Sequence, residues 1–234
     1  MRIVFFSDVH LDKNDDGRTV FLIRFINDVC KDADVVVILG DLFEFYHGYD
    51  EYIYPWYREV IDALKNIVNK DKRVYLIEGN HEFHMGSFFE SYTGITCTED
   101  LTINIDDKKF FITHGYNIKN NLLVKFLKTS FVYAIMDIFG PRLTWKIAAF
   151  SGIFLSRKKK AYNKNIMNIF RQFAQRKLEE GCDGVILAHS HIPDKMEYIS
   201  GDIKKYYLNT GDIIKSLTYV EYNTGTGLEI KRYS

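Results

Sequence analysis

Three short runs of β-branched and aromatic residues govern what this chain can become: 2–7 (RIVFFS), 35–40 (VVVILG) and 73–79 (RVYLIEG). Each is apolar at consecutive positions, the pattern of a strand buried on both faces. Each then breaks off into groups that a packed core cannot use: Asp8 and His10, Asp41, and Asn80 with His81. Between the runs lie helical stripes, Phe21, Leu22, Phe25, Ile26 and Val29 on one, Val60, Ile61, Leu64, Ile67 and Val68 on the other. Strand–helix–strand–helix–strand implies parallel strands in an α/β layer.

After residue 100 the rhythm changes. Segments 101–106 and 109–115 flank Asp107 and Lys108 as a hairpin would, and 184–190, 205–211, 217–222 and 227–233 read as further strands. Their close spacing predicts a second, largely antiparallel sheet, and two sheets with helices outside make a four-layer α/β/β/α sandwich. Residues 118–180 carry helical pattern only. Ile166, Ile169, Phe170 and Phe173 form a stripe, whereas 122–155 is too apolar for a solvated surface, with Pro141 placed to open a new helix. The expected organisation is a core of 1–117 and 181–234 with an inserted helical cap and return helix over 118–180.

No run approaches the ~20 apolar residues of a membrane span, and the start, MRIVFFSDVH, does not read as a signal peptide. Cys30, Cys97 and Cys182 lack zinc spacing and suit a reducing, cytoplasmic setting. Net charge is zero, yet residues 116–178 hold 13 Lys and Arg against one acid, Asp137. Such an excess points to an anionic partner: phosphate ester, lipid surface or nucleic acid. Nucleic acid is not expected, because the basic residues alternate with aliphatics instead of lining a polar groove.

Five of the seven histidines, His10, His81, His114, His189 and His191, fall in or at the end of predicted strands. Asp8, Asp41 and Asn80 occupy equivalent places. Strand ends lie side by side in a sheet, and ligand sites form just outside them. Carboxylate, imidazole and amide oxygen without thiolate suit a borderline divalent ion such as Mn²⁺, Fe²⁺ or Zn²⁺. The set is too large for one tetrahedral ion and suits two ions about 3.5–4 Å apart, with Asp41 as the shared carboxylate. His47 and His84 fit no motif and read as surface or supporting residues.

The motifs D-x-H (8–10), G-D-x-x-E (40–44), G-N-H-E (79–82), H-G (114–115) and A-H-S-H (188–191) stand in order. Over 1–115 and 180–234 the chain resembles the calcineurin-like metallophosphoesterase family. The resemblance implies Asp8, His10, Asp41 and His191 on one metal, and Asp41, Asn80, His114 and His189 on the other, with Mn²⁺ favoured. It implies catalytic roles for His81, which donates a hydrogen bond or proton on the leaving side, and for Glu44, which orients it. The cap is similar to that of the subgroup that cleaves the diphosphate of UDP-2,3-diacylglucosamine in lipid A synthesis. That likeness implies a lipid-linked substrate, substrate contacts from Asn80, His81, Arg157, Lys160, Asn163 and Lys164, and peripheral attachment to the anionic surface of the inner membrane. Two residues depart from the subgroup: His81 stands where Arg is common, and Tyr116 where an acid is. They leave open a phosphomonoesterase or phosphodiesterase of the same superfamily acting on another substrate. A non-enzymatic scaffold is disfavoured by the intact ligand set.

Overall fold

The structure, a computed structural model, describes residues 1–119, 121–151, 164–200 and 203–234. The chain opens with β1 (Arg2–Phe6), α1 (Asp16–Phe25), β2 (Val35–Ile38), β3 (Tyr46–His47), α2 (Arg58–Val68), β4 (Arg73–Ile77) and β5 (Glu82–His84). It continues through α3 (Gly86–Thr93), β6 (Thr96–Thr98), β7 (Asp100–Ile105) and β8 (Lys108–Thr113) into three helices, α4 (Leu122–Leu127), α5 (Ser130–Ser151) and α6 (Lys164–Glu179). Strands β9 (Gly184–Leu187), β10 (Pro193–Ser200), β11 (Ile203–Thr210), β12 (Thr218–Asn223) and β13 (Gly227–Arg232) follow.

Six strands form the first sheet in the order β13-β12-β1-β2-β4-β6, and five form the second, β10-β11-β9-β8-β7. Strand β1 shows how the layers arise. Its side chains alternate, as a strand requires: Ile3 and Phe5 pack between the sheets against Phe110, Ile112, Ile186 and Leu208. Val4 and Phe6 face the other way, onto Leu22 and Phe25 of α1 and Ile61 and Leu64 of α2. On the far side, Phe170, Ala174 and Leu178 of α6 pack on Val185, Leu187 and Tyr207 of the second sheet. The result is the expected α/β/β/α sandwich. Each fully buried Phe, Leu or Ile in these layers contributes about 1.5–3 kcal/mol.

Two expectations need correction. The last two strands, β12 and β13, belong to the first sheet, where β12 pairs antiparallel with β1 from Arg2↔Asn223 to Phe5↔Val220. The second sheet is mixed, because β9 runs parallel to both β8 and β11. An apolar run specifies a strand but not its neighbour; β1 is buried on both faces, and its second edge is satisfied by β12. Strand β10 and helix α3 were not anticipated: PDKMEYIS is polar and GSFFESYT is short.

Helix α5 breaks where Pro141 suggested. Gly140 adopts φ 71° and ψ 170°, and Pro141 begins the second segment. Helix α4 starts at Asn121, whose side-chain oxygen accepts from the Leu123 amide at 3.1 Å. No helix among the described residues is long and apolar enough to cross a membrane.

Candidate metal centre

The strand ends meet at one edge shared by both sheets. Asp8 and His10 follow β1, Asp41 follows β2, Asn80 and His81 follow β4, His114 follows β8, and His189 and His191 follow β9. Asp8, His10, Asp41, His189 and His191 all adopt left-handed backbone, with φ of 56°, 50°, 50°, 63° and 57°. That conformation costs an L-residue roughly 1–2 kcal/mol. Five such residues at one edge show how sharply the chain must turn to aim these side chains together.

Their atoms converge on Asp41. Its Oδ2 lies 3.3 Å from His114 Nε2, 3.7 Å from His10 Nε2 and 4.0 Å from His81 Nε2. His191 Nε2 stands 3.3 Å from Asp8 Oδ1, and His114 Nε2 3.1 Å from His189 Nδ1. Asp8, His10 and His191 form one group able to grip a cation, and Asp41, His114 and His189 form another. Within each, the donor atoms lie within 4.8 Å of one another.

Metal ions fit these residues on the structure's own terms. Asp8 Oδ1, both ring nitrogens of His10 and Asn80 Oδ1 are buried atoms with no hydrogen-bond partner among the described residues. Leaving a buried polar atom unsatisfied costs about 1–3 kcal/mol, and divalent cations would engage acceptor oxygens and neutral imidazoles together. The buried acids and imidazoles also shape one another's charge. Burial opposes ionisation of Asp41, but His114, His81 and His10 outweigh it and hold the carboxyl well below its ordinary range. Burial likewise opposes charge on His114, yet Asp41, Asp8 and the Leu39 carbonyl push its pKa up to about 9.

A shell of supporting contacts holds the edge. Glu82, buried, accepts from the amides of Asp41 at 2.8 Å, Gly79 at 2.9 Å and Phe43 at 3.1 Å, joining the loops after β2 and β4. Burial and the nearby Asp41 charge raise its pKa to about 7, against the pull of those amides. The loops approach so closely that a Cβ on Gly79 would lie 2.2 Å from Asp41 Oδ1. His114 Nδ1 donates to the Leu39 carbonyl at 2.5 Å, and His191 Nδ1 faces Asp212 Oδ2 at 3.5 Å. These contacts turn the Nε2 atoms toward the cluster, the arrangement usual around a metal-binding imidazole. Ser7 Oγ donates to Asp8 Oδ2 at 2.6 Å.

His81 is held by Glu44, through a different atom from the one expected. Its Nδ1 donates to the Glu44 main-chain carbonyl at 2.6 Å, while the Glu44 carboxylate lies 3.5 Å from His10 Nδ1. A carbonyl only accepts, so Nδ1 carries the proton and Nε2 is the end turned toward Asp41. Of the two expectations for His47, surface or supporting, burial leaves the second: its Nε2 lies 2.9 Å from Asp137 Oδ1 on α5. Burial lowers its pKa despite that carboxylate. His84 is exposed. Arg157, Lys160 and Asn163, and the side chain of Lys164, lie outside the described residues.

Sequence reasoning missed Glu82 and Asp212. Glu82 closes G-N-H-E, and Asp212 follows β11 as the candidate ligands follow their strands, so both carried a signal.

The model of the calcineurin-like phosphoesterase family matches residues 1–193. The chain belongs to that family. It is therefore a metal-dependent phosphoester hydrolase, and curated relatives of this phosphoesterase bear a common name. UDP-2,3-diacylglucosamine hydrolase of Aliivibrio fischeri (strain MJ11) is 28% identical over 95% of each chain. That of Vibrio parahaemolyticus is 27% identical over 99% of this chain and 98% of its own. Among solved structures, an archaeal phosphodiesterase covers 99% of both chains with a TM-score of 0.47 and 16% identity.

Proposed function

We propose that this phosphoesterase hydrolyses the diphosphate of UDP-2,3-diacylglucosamine, releasing UMP and 2,3-diacylglucosamine 1-phosphate for lipid A synthesis. The observation that carries the reading is an intact metal-binding edge beside a helical cap that leaves large apolar side chains exposed. Leu122, Phe126, Phe131, Ile138, Ile147 and Phe150 are all exposed on α4 and α5. Trp145, Lys146, Ile147, Ala149 and Phe150 line a hollow of about 670 Å³ on α5. A small soluble ester has no use for such a surface, whereas each acyl methylene buried there would contribute about 0.8 kcal/mol. The names of the relatives support the same substrate.

In this reading Asp8, His10, Asp41 and His191 hold one divalent ion, and Asp41, Asn80, His114 and His189 the other; the O/N donor set admits Mn²⁺, Fe²⁺ or Zn²⁺, and the family resemblance favours Mn²⁺. When bound, the ions supply Lewis-acid polarisation of the phosphoryl group and lower the pKa of water. The chain's own residues do the rest. Asp41 lies where both ligand groups meet. His81, fixed at Nδ1 by the Glu44 carbonyl, offers Nε2 to the departing or equatorial phosphoryl oxygen; once protonated there, it donates. Arg157, Lys160, Asn163 and Lys164 supply polar contacts to the substrate, as do Asn80 and His81. The core comprises 1–117 and 181–234, and the cap with its return helix 118–180. Its lysines draw the protein to anionic lipid on the cytoplasmic face of the inner membrane.

Hydrolysis of the UDP-lipid in ¹⁸O-water with Mn²⁺ tests the reading. Label in UMP supports attack on the uridine-side phosphorus. His81 and Tyr116, at odds with the subgroup's pattern, favour a second reading: a phosphomonoesterase or phosphodiesterase for another substrate. Turnover of simple esters with the UDP-lipid untouched would establish it.

A further inference from the structure

Lys128 sits at the C-terminal end of α4, where the cap turns toward α5. Its ammonium does not reach for water. The side chain is only 8% exposed, and Nζ donates to the Gly79 carbonyl at 2.8 Å and the Tyr116 hydroxyl at 3.2 Å. The Glu78 carboxylate lies 3.7 Å away. An ammonium has three donors, and here three oxygens surround it. Nζ also stands 4.6 Å from the centre of the Tyr116 ring, so the residue that departs from the subgroup's acid is the cation's own neighbour.

The Gly79 carbonyl belongs to the peptide that leads into Asn80, whose Oδ1 is buried without a hydrogen-bond partner among the described residues. On either side of that peptide, the Gly79 amide is held by Glu82 at 2.9 Å and the His81 amide donates to Asp41 Oδ1 at 3.0 Å. Lys128 grips the carbonyl in between. That peptide plane sets the direction of the Asn80 side chain, and glycine on one side does nothing to restrict it.

We propose that Lys128 is a positioning residue: it locks the Gly79–Asn80 peptide so that the Asn80 amide oxygen faces the metal-binding edge, and so couples the seating of the cap to the reactivity beneath it. The inference rests on the two-ion reading above and deepens it. It assigns to the cap a part in the chemistry as well as in substrate choice.

The test compares Lys128→Met, which keeps length but no donor, with Lys128→Arg in the full-length protein. Mn²⁺ binding is followed by calorimetry, and turnover with bis(p-nitrophenyl) phosphate, which has no acyl chain for the cap to hold. Lys128→Met should weaken one of two Mn²⁺ ions by about 10–100-fold, the scale of a lost supporting contact. It should lower kcat while leaving KM for the small diester within about twofold, an unchanged ground state. Lys128→Arg should restore most of both. In the Asn80→Ala background, Lys128→Met should cost nothing more. Should Lys128→Met not fold, Lys128→Gln, neutral but still a donor, takes its place, with a smaller loss of the same kind expected. Two ions bound as tightly as in the wild type, with unchanged kcat, would overturn the role of Lys128 alone. A wild-type protein binding fewer than two ions would overturn the two-ion reading with it.

Discussion

The metal-binding edge and the cap are built to opposite rules. At the edge, most side chains are buried, five backbones are forced into left-handed turns, and Asp41, His81, His114 and His191 are each held by a second contact. In the cap, large apolar side chains stand in the open while Leu127, Tyr133, Met136, Trp145 and Ala148 pack on the core; polar links among the described residues run from His47 to Asp137 at 2.9 Å, from the Tyr49 hydroxyl to the Met136 carbonyl at 3.2 Å, and through Lys128. Lys13 adds a looser hold, its ammonium 5.0 Å and 5.2 Å from the rings of Trp56 and Trp145. Phosphoryl chemistry needs groups placed to a fraction of an ångström. Choosing a lipid needs area, and area tolerates play. One molecule therefore carries a part that small errors ruin and a part that they leave working.

Mutation should expose that contrast. Asp41→Ala should abolish turnover and lower metal content below two ions per chain; elemental analysis showing both retained would break the comparison at its centre. His81→Ala should lose about 10²–10⁴ in rate, the usual worth of acid–base help, while metal content stays whole. Collapse of the metal content would make His81 a ligand instead.

Acid should act on the edge and spare the cap. His114 must shed its proton before Nε2 can bind a cation, and its pKa is pushed up to about 9. Protons therefore compete below that value. Mn²⁺ affinity should climb roughly tenfold per pH unit for each proton displaced and level off near pH 9. Flat affinity from pH 6 to 9 would mean the ion bypasses His114. Asp212→Asn, which weakens the hold on His191, should cost about 10–100-fold in metal affinity. At the small end, Phe150→Ser on the exposed cap should shift stability by no more than about 0.5 kcal/mol and leave hydrolysis of a small diester intact, while slowing the acylated substrate. Equal loss on both substrates would mean the cap is scaffolding.

The candidate ligands were legible because a run such as VVVILG has no packing reason to stop at Asp41. The sandwich was legible for a similar reason: unbroken apolar runs mark strands buried on both faces, and the helical stripes between them mark what covers the sheets. What such runs leave out is the identity of the neighbour, so β12 and β13 could be seen as strands and still be assigned to the wrong sheet. The supporting residues were harder. Glu82 reads as an ordinary acid until Asp41 and Gly79 are brought beside it. His47 reads as either a surface or a supporting imidazole until α5 delivers Asp137 from 90 residues away. Such roles depend on tertiary approach, which leaves no mark at the residue itself.

The pairing of β1 with β12 has a consequence for synthesis. Asp8 and His10 leave the ribosome early, on a strand whose second hydrogen-bonded neighbour is encoded by residues 220–223. At about 5–20 residues per second, that neighbour is roughly 10–40 s behind. Through that interval one flank of β1 is an unpaired, apolar ribbon, the kind of edge that invites pairing with another chain. His191, too, is still untranslated for most of that time. Metal capture is thus set to follow translation, and nascent chains crowded on one message are the population most exposed to aggregation before the sheet closes.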